Sequence, residues 1–344
     1  MSTRKKCVEC GLPFSIHDRG YLYLYTKSSA EDAIEFAEIP FEELDWHLVR
    51  AGYYSKDHLK DLVQTVQHRT ETEWLAYTGT EEQIKQPMIP LGKLAQRLEN
   101  EQVVNFIATG QFVNHFQPIV SLSDYHVYGY ESLLRSGERE INVSPVQLFE
   151  VAQNTGLNSL LDQKARETAI RSRVNNIPHG VKSFINFLPS TIYNPAFCLR
   201  HTFSVVEKYD VAPDNLVFEV VETEKINNIP LLKDILDTYK ESGVKVALDD
   251  LGSGFATVEM LKTLSPDYVK IDRSYVSYCD QSREKQQFLE EVMRIARGMG
   301  IRVLAEGIER KEELEYCQSI QVDLAQGYYI GKPEAEPLRE IQFN

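Results

Sequence analysis

Six positions in this chain set a metal-ligating side chain into or just after a short apolar run. They are Glu131 in GYESLLR, Asn186 in FINFLP, Glu219 in VFEVVE, the consecutive Asp249 and Asp250 in VALDDLG, and Glu306 in VLAEG. A carboxylate in an apolar strand costs several kcal/mol, or gives up its charge, unless something of opposite sign faces it. Any one of them could be a cap or half of a salt bridge. Five carboxylates converging on one place repel each other, and cations relieve that repulsion. All-oxygen ligand sets select hard divalent ions such as Mg2+ or Mn2+, and the absence of His or Cys at these positions disfavours zinc. Lys270, in DYVKID, is the cation among them. A buried lysine there can position a water or stabilise charge on a five-coordinate phosphorus; a salt bridge to a ligand carboxylate is the alternative. Arg135, four residues beyond Glu131, can offer a planar fork to a phosphate oxygen or make a salt bridge at the rim. Together the set describes metal-assisted hydrolysis of a phosphoester.

Such residues need a backbone that carries them to one place. From about residue 116, short apolar runs alternate with amphipathic stretches at intervals of roughly 22 to 35 residues, the pattern of repeated β/α units. The apolar runs predict strands at 116–120, 129–134, 183–188, 216–221, 244–248, 268–271, 301–305 and 325–330. Helices are predicted at 145–153, opened by Ser144 as cap and Pro145 at the first helical position, and at 159–175, 230–242, 256–264, 283–298 and 311–320. Eight buried parallel strands with intervening helices predict an α/β fold, a TIM-like (β/α)8 barrel. Alternation by itself also fits an open doubly wound sheet. In a barrel the reactive groups stand at the C-terminal ends of the parallel strands, which is where the ligand-type residues fall.

Residues 1–90 lack this rhythm and read as a separate small α+β domain of unknown role. An alternating aromatic strand, Tyr21 to Tyr25, precedes helix-like patterns at 30–38, 41–51 and 56–68, with Trp46 and Trp74 expected in the core. A Pro-bearing stretch at 86–90 leads into a helix near 91–107, so that 91–101 connect the small domain to a barrel over 102–344. Cys7 and Cys10 form half of a zinc knuckle, with His17 close by and no second CxxC; free thiols are the expectation and a zinc ion the alternative.

Length and composition agree. At 344 residues, 42% hydrophobic and 26% charged, the chain buries at least one large core. A net charge of -14 opposes an electrostatic footprint on DNA, RNA or an anionic leaflet. The longest charge-free run, Gln102 to Ser123, holds Asn105, Gly110, Gln111, Asn114, His115, Gln117 and Pro118, so no membrane span is expected. MSTRKKCVECG carries positive charge with no apolar run behind it, unlike a secretory leader, and five scattered cysteines fit a reducing cytoplasm.

Over essentially Gln102 to Pro333 these motifs resemble the EAL domain family of bacterial cyclic di-GMP phosphodiesterases. GYESLLR is similar to the family's signature, FQPIV to the strand before it and FEVVE to its glutamate strand. DDLGSGFATVEMLKTLSPDYVKIDRSYV is similar to its Asp-Asp loop and lysine strand, and AEGIE and AQGYYIGKP complete the order. The resemblance implies metal ligation by Glu131, Asn186, Glu219, Asp249 and Asp250, with Lys270 and Glu306 acting on the attacking water. It assigns Gln326 to the inner polar shell, Gln117 and Arg135 to substrate, and Glu222 to holding the loop from Asp250 to Thr257. It further implies hydrolysis of cyclic di-GMP to linear pGpG with two Mg2+ or Mn2+ ions, Glu306 or Lys270 being the general base. It also implies a homodimer through the Asp-Asp loop and an appendage that senses a signal or binds an unidentified protein or ligand. The alternative within the family is a catalytically silent receptor or scaffold that binds the dinucleotide and signals through the amino-terminal domain. Ser132, Leu251 and Phe187 depart from the family's usual alanine, phenylalanine and leucine, and none of them removes a ligand. A lyase or enolase-like barrel would also place carboxylates at strand ends but does not predict these segments in this order.

Overall fold

The structure, a computed structural model, describes residues 16–27, 41–69, 73–80, 87–137, 143–221, 228–252 and 258–341. It divides into two compact units, residues 1–111 with 138–161 and residues 112–137 with 162–344.

The first unit holds an antiparallel sheet of β1 (Gly20–Tyr25), β2 (Glu42–Asp45), β3 (Leu48–Tyr53), β4 (Leu75–Gly79) and β5 (Ile89–Pro90), in the order β2-β3-β1-β4-β5. Its helices are α1 (Lys56–Arg69), α2 (Leu91–Glu99), α3 (Glu101–Thr109) and α4 (Pro145–Thr155). Leu22 and Leu24 of β1 and Val49, Ala51 and Tyr53 of β3 turn to one face, as period-two spacing demands, and share a core with Leu59, Val63 and Leu94 of the helices. The helix-like pattern at 41–51 is therefore a correction: it forms the hairpin β2–β3. Two residues separate the strands, and the Asp45 carboxylate accepts from His47 N at 2.7 Å, a local turn that competes with helix. Trp46 at that turn is 61% exposed and is not core, whereas Trp74 is 4% exposed. The helix expected near 91–107 is two helices, parted at Asn100, whose backbone (φ -109°) leaves the helical region. The pattern at 30–38 lies outside the described residues, as do Cys7 and Cys10.

Helix α4 opens with a full capping box: Gln147 N donates to Ser144 Oγ at 3.2 Å, and Ser144 N donates to Gln147 Oε1 at 3.1 Å. Ser144→Ala is expected to cost about 1 kcal/mol. Urea unfolding of the full chain checks this, and an unchanged midpoint would show that the cap contributes nothing.

The second unit is a closed barrel of β6 (Phe112–Ser121), β7 (Val127–Ser136), β8 (Lys182–Phe187), β9 (Leu216–Val220), β10 (Lys245–Leu251), β11 (Tyr268–Ile271), β12 (Arg302–Ala305) and β13 (Leu324–Gln326). The longer helices outside it are α5 (Asn158–Asn176, in this unit from Asp162), α6 (Arg200–Lys208), α7 (Ile229–Glu241), α8 (Val258–Leu264), α9 (Arg283–Met299) and α10 (Lys311–Ser319). One strand departs from the all-parallel expectation: β6 is antiparallel to both β7 and β13. The reason is length, because the connection over 122–126 is far too short for the crossover that parallel strands require. The last strand is shorter than predicted. Past Gln326 the chain turns at Gly327, where an added Cβ would lie 2.1 Å from Ile308 O, so no larger residue fits against that backbone.

Inside the barrel, Ile119, Phe184, Val217, Ala247, Tyr268, Leu304 and Leu324 form one apolar layer. Strand periodicity turns the residue two positions on to the same interior. Those residues are Asn186, Glu219, Asp249, Lys270, Glu306 and Gln326, with Gln117 two before Ile119 on the reversed strand. On β7 the residue two before Glu131 is Gly129, whose missing side chain makes room for the Phe184 ring. A polar layer thus stands directly on an apolar floor. No helix of the described residues is long and apolar enough to cross a membrane.

Candidate active site

Lys270 is the hub of the polar layer. Its Nζ lies 2.7 Å from Glu306 Oε1, 3.1 Å from Asp249 Oδ1, 3.2 Å from Glu219 Oε1 and 3.9 Å from Glu131 Oε1. One cation cannot neutralise four carboxylates, and the imbalance shows in their proton affinities. Burial pushes Glu219 and Glu306 well above the usual carboxylate range, against the pull of Lys270, with neighbouring carboxylates adding to the rise. Asp249 is raised for the same reason. Glu131 goes the other way: burial raises it, but Lys270 and the amides of Asn186 and Gln326 outweigh burial and hold it below the usual range. For Lys270 burial favours the neutral amine, and Asp249, Glu131, Glu219 and Glu306 overcome this, so its ammonium is held well above the lysine range.

Glu131 is the most tightly held carboxylate of the layer. Asn186 Nδ2 donates to its Oε1 at 3.0 Å and Gln326 Nε2 to its Oε2 at 2.7 Å. Glu219 is its opposite, 0% exposed with neither oxygen accepting a hydrogen bond, the contact with Lys270 being an ion pair without hydrogen-bond geometry. A buried carboxylate left in that state is poised for a ligand that is not a hydrogen-bond donor. Register explains the grouping, since Asn186 pairs with Glu219 and Glu219 with Ala247 across adjacent parallel strands.

The two aspartates meet through an irregularity. The β10–β11 register shifts between Leu248 and Leu251, and Asp250 takes φ 55°, a conformation that side-chain-bearing residues rarely adopt. The twist brings Asp249 and Asp250 to the same side as Glu306. Among the described residues, these three form a group whose ligand atoms all lie within 4.8 Å of one another. Glu306, assigned by resemblance to the water, is thus placed with the aspartates as well as with Lys270.

Gln117 and Arg135, which the resemblance assigns to substrate, bond to the backbone. Gln117 faces Glu131 across the β6–β7 ladder and donates from Nε2 to Gly331 O at 3.3 Å. Arg135 donates from Nη1 to Leu134 O at 2.8 Å, and burial lowers its proton affinity against the pull of Glu131 and Tyr328. Glu222 and the loop at 253–257 lie outside the described residues.

A cavity of about 640 Å³ opens at the other end of the barrel, lined by Ser121, His126, Tyr128, Arg302, Gln318 and Asp323 among others. It holds none of the Lys270 cluster. Its polar groups serve one another and the backbone: Arg302 Nη1 donates to Tyr128 OH at 2.6 Å, Gln318 Nε2 to Leu122 O at 3.0 Å, and Val303 N to Asp323 Oδ2 at 2.8 Å. The convergent, under-neutralised chemistry is all at the mouth.

Comparison with known proteins identifies the family. The EAL domain family matches residues 100–333. A probable cyclic di-GMP phosphodiesterase of Escherichia coli K12, PdeG, is 35% identical over 237 residues, which cover 66% of this chain and 45% of that protein. The cyclic di-GMP phosphodiesterase PdeF of the same organism is 30% identical over 274 residues, covering 75% of this chain and 34% of PdeF. The chain therefore spans less than half the length of these relatives. Among solved structures, a standalone versatile EAL protein from Vibrio cholerae O395, in its c-di-GMP bound form, is similar with a TM-score of 0.61 and 30% identity, covering 68% of this chain and 96% of that one.

Proposed function

We propose that this chain, which belongs to the EAL domain family, hydrolyses cyclic di-GMP to linear pGpG. The observation that carries the reading is the ring of four carboxylates around Lys270 at the mouth of the barrel, whose negative charge exceeds that of the lysine it surrounds. The residues fit divalent ions: Asp249, Asp250 and Glu306 offer oxygens within 4.8 Å of one another, and Glu219 is buried with neither oxygen accepting a hydrogen bond, its contact being the ion pair with Lys270. Glu131, Asn186, Glu219, Asp249 and Asp250 would hold two Mg2+ or Mn2+ ions, hard cations matched to oxygen ligands. Ions so bound lower the pKa of a water and neutralise the phosphate it attacks.

The chain's own residues do the rest. Lys270, surrounded by carboxylates, stays protonated and spaces Glu131, Glu219, Asp249 and Glu306 against their mutual repulsion. That leaves Glu306 as the general base. With 18% of its side chain exposed it is the carboxylate among those four that best reaches solvent, and its contact with Lys270 orients it. Arg135 and Gln117, at the rim beside Glu131, orient the dinucleotide phosphate, the guanidinium by its planar fork. The apolar floor of Phe184, Val217 and Leu304 keeps water from entering beneath the layer, which strengthens every charge interaction above it.

Chromatography of cyclic di-GMP incubated with the chain in Mg2+ or Mn2+, beside a chelated control, tests this. pGpG is expected in the metal-loaded sample alone. Dinucleotide recovered intact with metal present would overturn the reading.

A further inference from the structure

The turn that follows Asn186 is locked from outside the mouth. Asp162 and Arg166 stand one turn apart on α5, both side chains 2% exposed, and Arg166 Nη1 donates to Asp162 Oδ2. The same carboxylate reaches the exit of β8, its Oδ1 accepting from Leu188 N at 3.0 Å and its Oδ2 from Thr191 Oγ1 at 2.9 Å. Thr191 N in turn donates to Leu188 O at 3.0 Å, closing the turn on itself. Leu188 is two residues past Asn186, whose amide holds Glu131. The turn beyond β8 is therefore held by a buried carboxylate whose hydrogen bonds lie outside the mouth, beside the ladder that pairs Phe187 with Val220.

Resting on the proposed function, we propose that Asp162 is a positioning residue for Asn186, and through Asn186 and Glu131 for the divalent-cation site. The demands of the site select its chemistry. The Leu188 N–H and the Arg166 guanidinium point at this one side chain, the single Thr191 hydroxyl proton is shared between it and Leu188 O at 2.7 Å, and a carboxylate accepts from them without presenting a donor of its own. Nothing else among the described contacts takes the Arg166 charge, and its Nε has no partner. Through these hydrogen bonds a shift of Asp162 is passed to the β8 terminus. Groups that orient metal ligands in this indirect way commonly change metal affinity by about 10- to 100-fold.

Asp162→Ala alone would strand a buried guanidinium and strongly destabilise the barrel, so the test removes both charges. Asp162→Leu with Arg166→Met replaces the pair by apolar side chains of similar size, a change that buried pairs tolerate. In the full chain the double variant is expected to keep its unfolding midpoint within a few degrees of the parent. Its affinity for Mn2+, measured without substrate from the electron paramagnetic resonance of the free ion, is expected to fall about tenfold. Thr191→Val, which keeps the volume and the ion pair and deletes one hydroxyl of the clamp, is expected to give a smaller loss in the same direction. A folded double variant that binds Mn2+ as tightly as the parent overturns the proposal. If the double variant does not fold, an unchanged affinity in Thr191→Val overturns it instead. Parent protein that binds no Mn2+ would sink the functional reading itself, a result distinct from either.

Discussion

Glu131→Ala is expected to lower turnover of cyclic di-GMP by at least about a hundredfold, equivalent to about 2.7 kcal/mol of transition-state stabilisation. The size follows from what the carboxylate joins. It is the point where Asn186, Gln326 and Lys270 meet, at 3.0, 2.7 and 3.9 Å. It is also the one member of the ring whose charge the surroundings favour, its proton affinity falling below the ordinary carboxylate value despite burial. Removing it takes a negative charge from the mouth and leaves two amide donors without their acceptor, so on the proposed reading both cation affinity and the placement of Asn186 suffer. Turnover at saturating Mn2+ is the deciding measurement, because a rate restored by excess metal would make Glu131 a binding ligand only. A rate equal to that of the parent at all metal concentrations would refute the assignment. Arg135 or Gln117 variants are expected to lose less, since their side chains donate to backbone carbonyls, Leu134 O and Gly331 O, and not to the carboxylate ring.

Much of this arrangement is legible in the sequence because strand periodicity ties the polar layer to the apolar one. Val217 with Glu219, Tyr268 with Lys270 and Leu304 with Glu306 each read as an inward apolar residue followed two positions later by an inward polar one. The same period-two logic, applied to Val49, Ala51 and Tyr53, would have found β3 in place of a helix; the nearby Glu42, Glu43 and Leu44 blur the pattern because β2 is an exposed edge strand. The direction of β6 was also available, in a connection too short for any crossover. What sequence does not carry is Asp162. Its partners Leu188 and Thr191 lie 26 and 29 residues away, and an Asp followed by an Arg four residues later reads as an exposed helical pair until the fold buries both. The 55° φ of Asp250, which turns the paired aspartates toward Glu306, is only weakly marked, by aspartate being among the few side chains that tolerate it.

Lys270→Met carries the second large expected effect, and it separates the lysine's electrostatic work from chemistry. In chelator the variant is expected to lose about 3–5 kcal/mol of stability, the usual consequence of removing one partner from a buried charge set. Four carboxylates would then face each other with no counter-charge. Burial already raises Glu219, Asp249 and Glu306 while Lys270 opposes that rise, so its removal raises them further. A carboxylate whose proton affinity is raised by folding gives its full contribution below its unfolded pKa, and that contribution is lost as pH climbs through the folded value. The deficit against the parent is therefore smallest under acid conditions, where the carboxylates share protons, and widens as pH rises. Mn2+ supplies the missing positive charge, so the rise in Tm on adding the ion is larger in the variant than in the parent. Turnover does not return with it, because a methionine cannot hold Glu306 in place. Thermal unfolding of both proteins across pH, with and without Mn2+, reads each of these effects. Equal stabilities of variant and parent in chelator would show that the ring of carboxylates is kept apart by something other than Lys270.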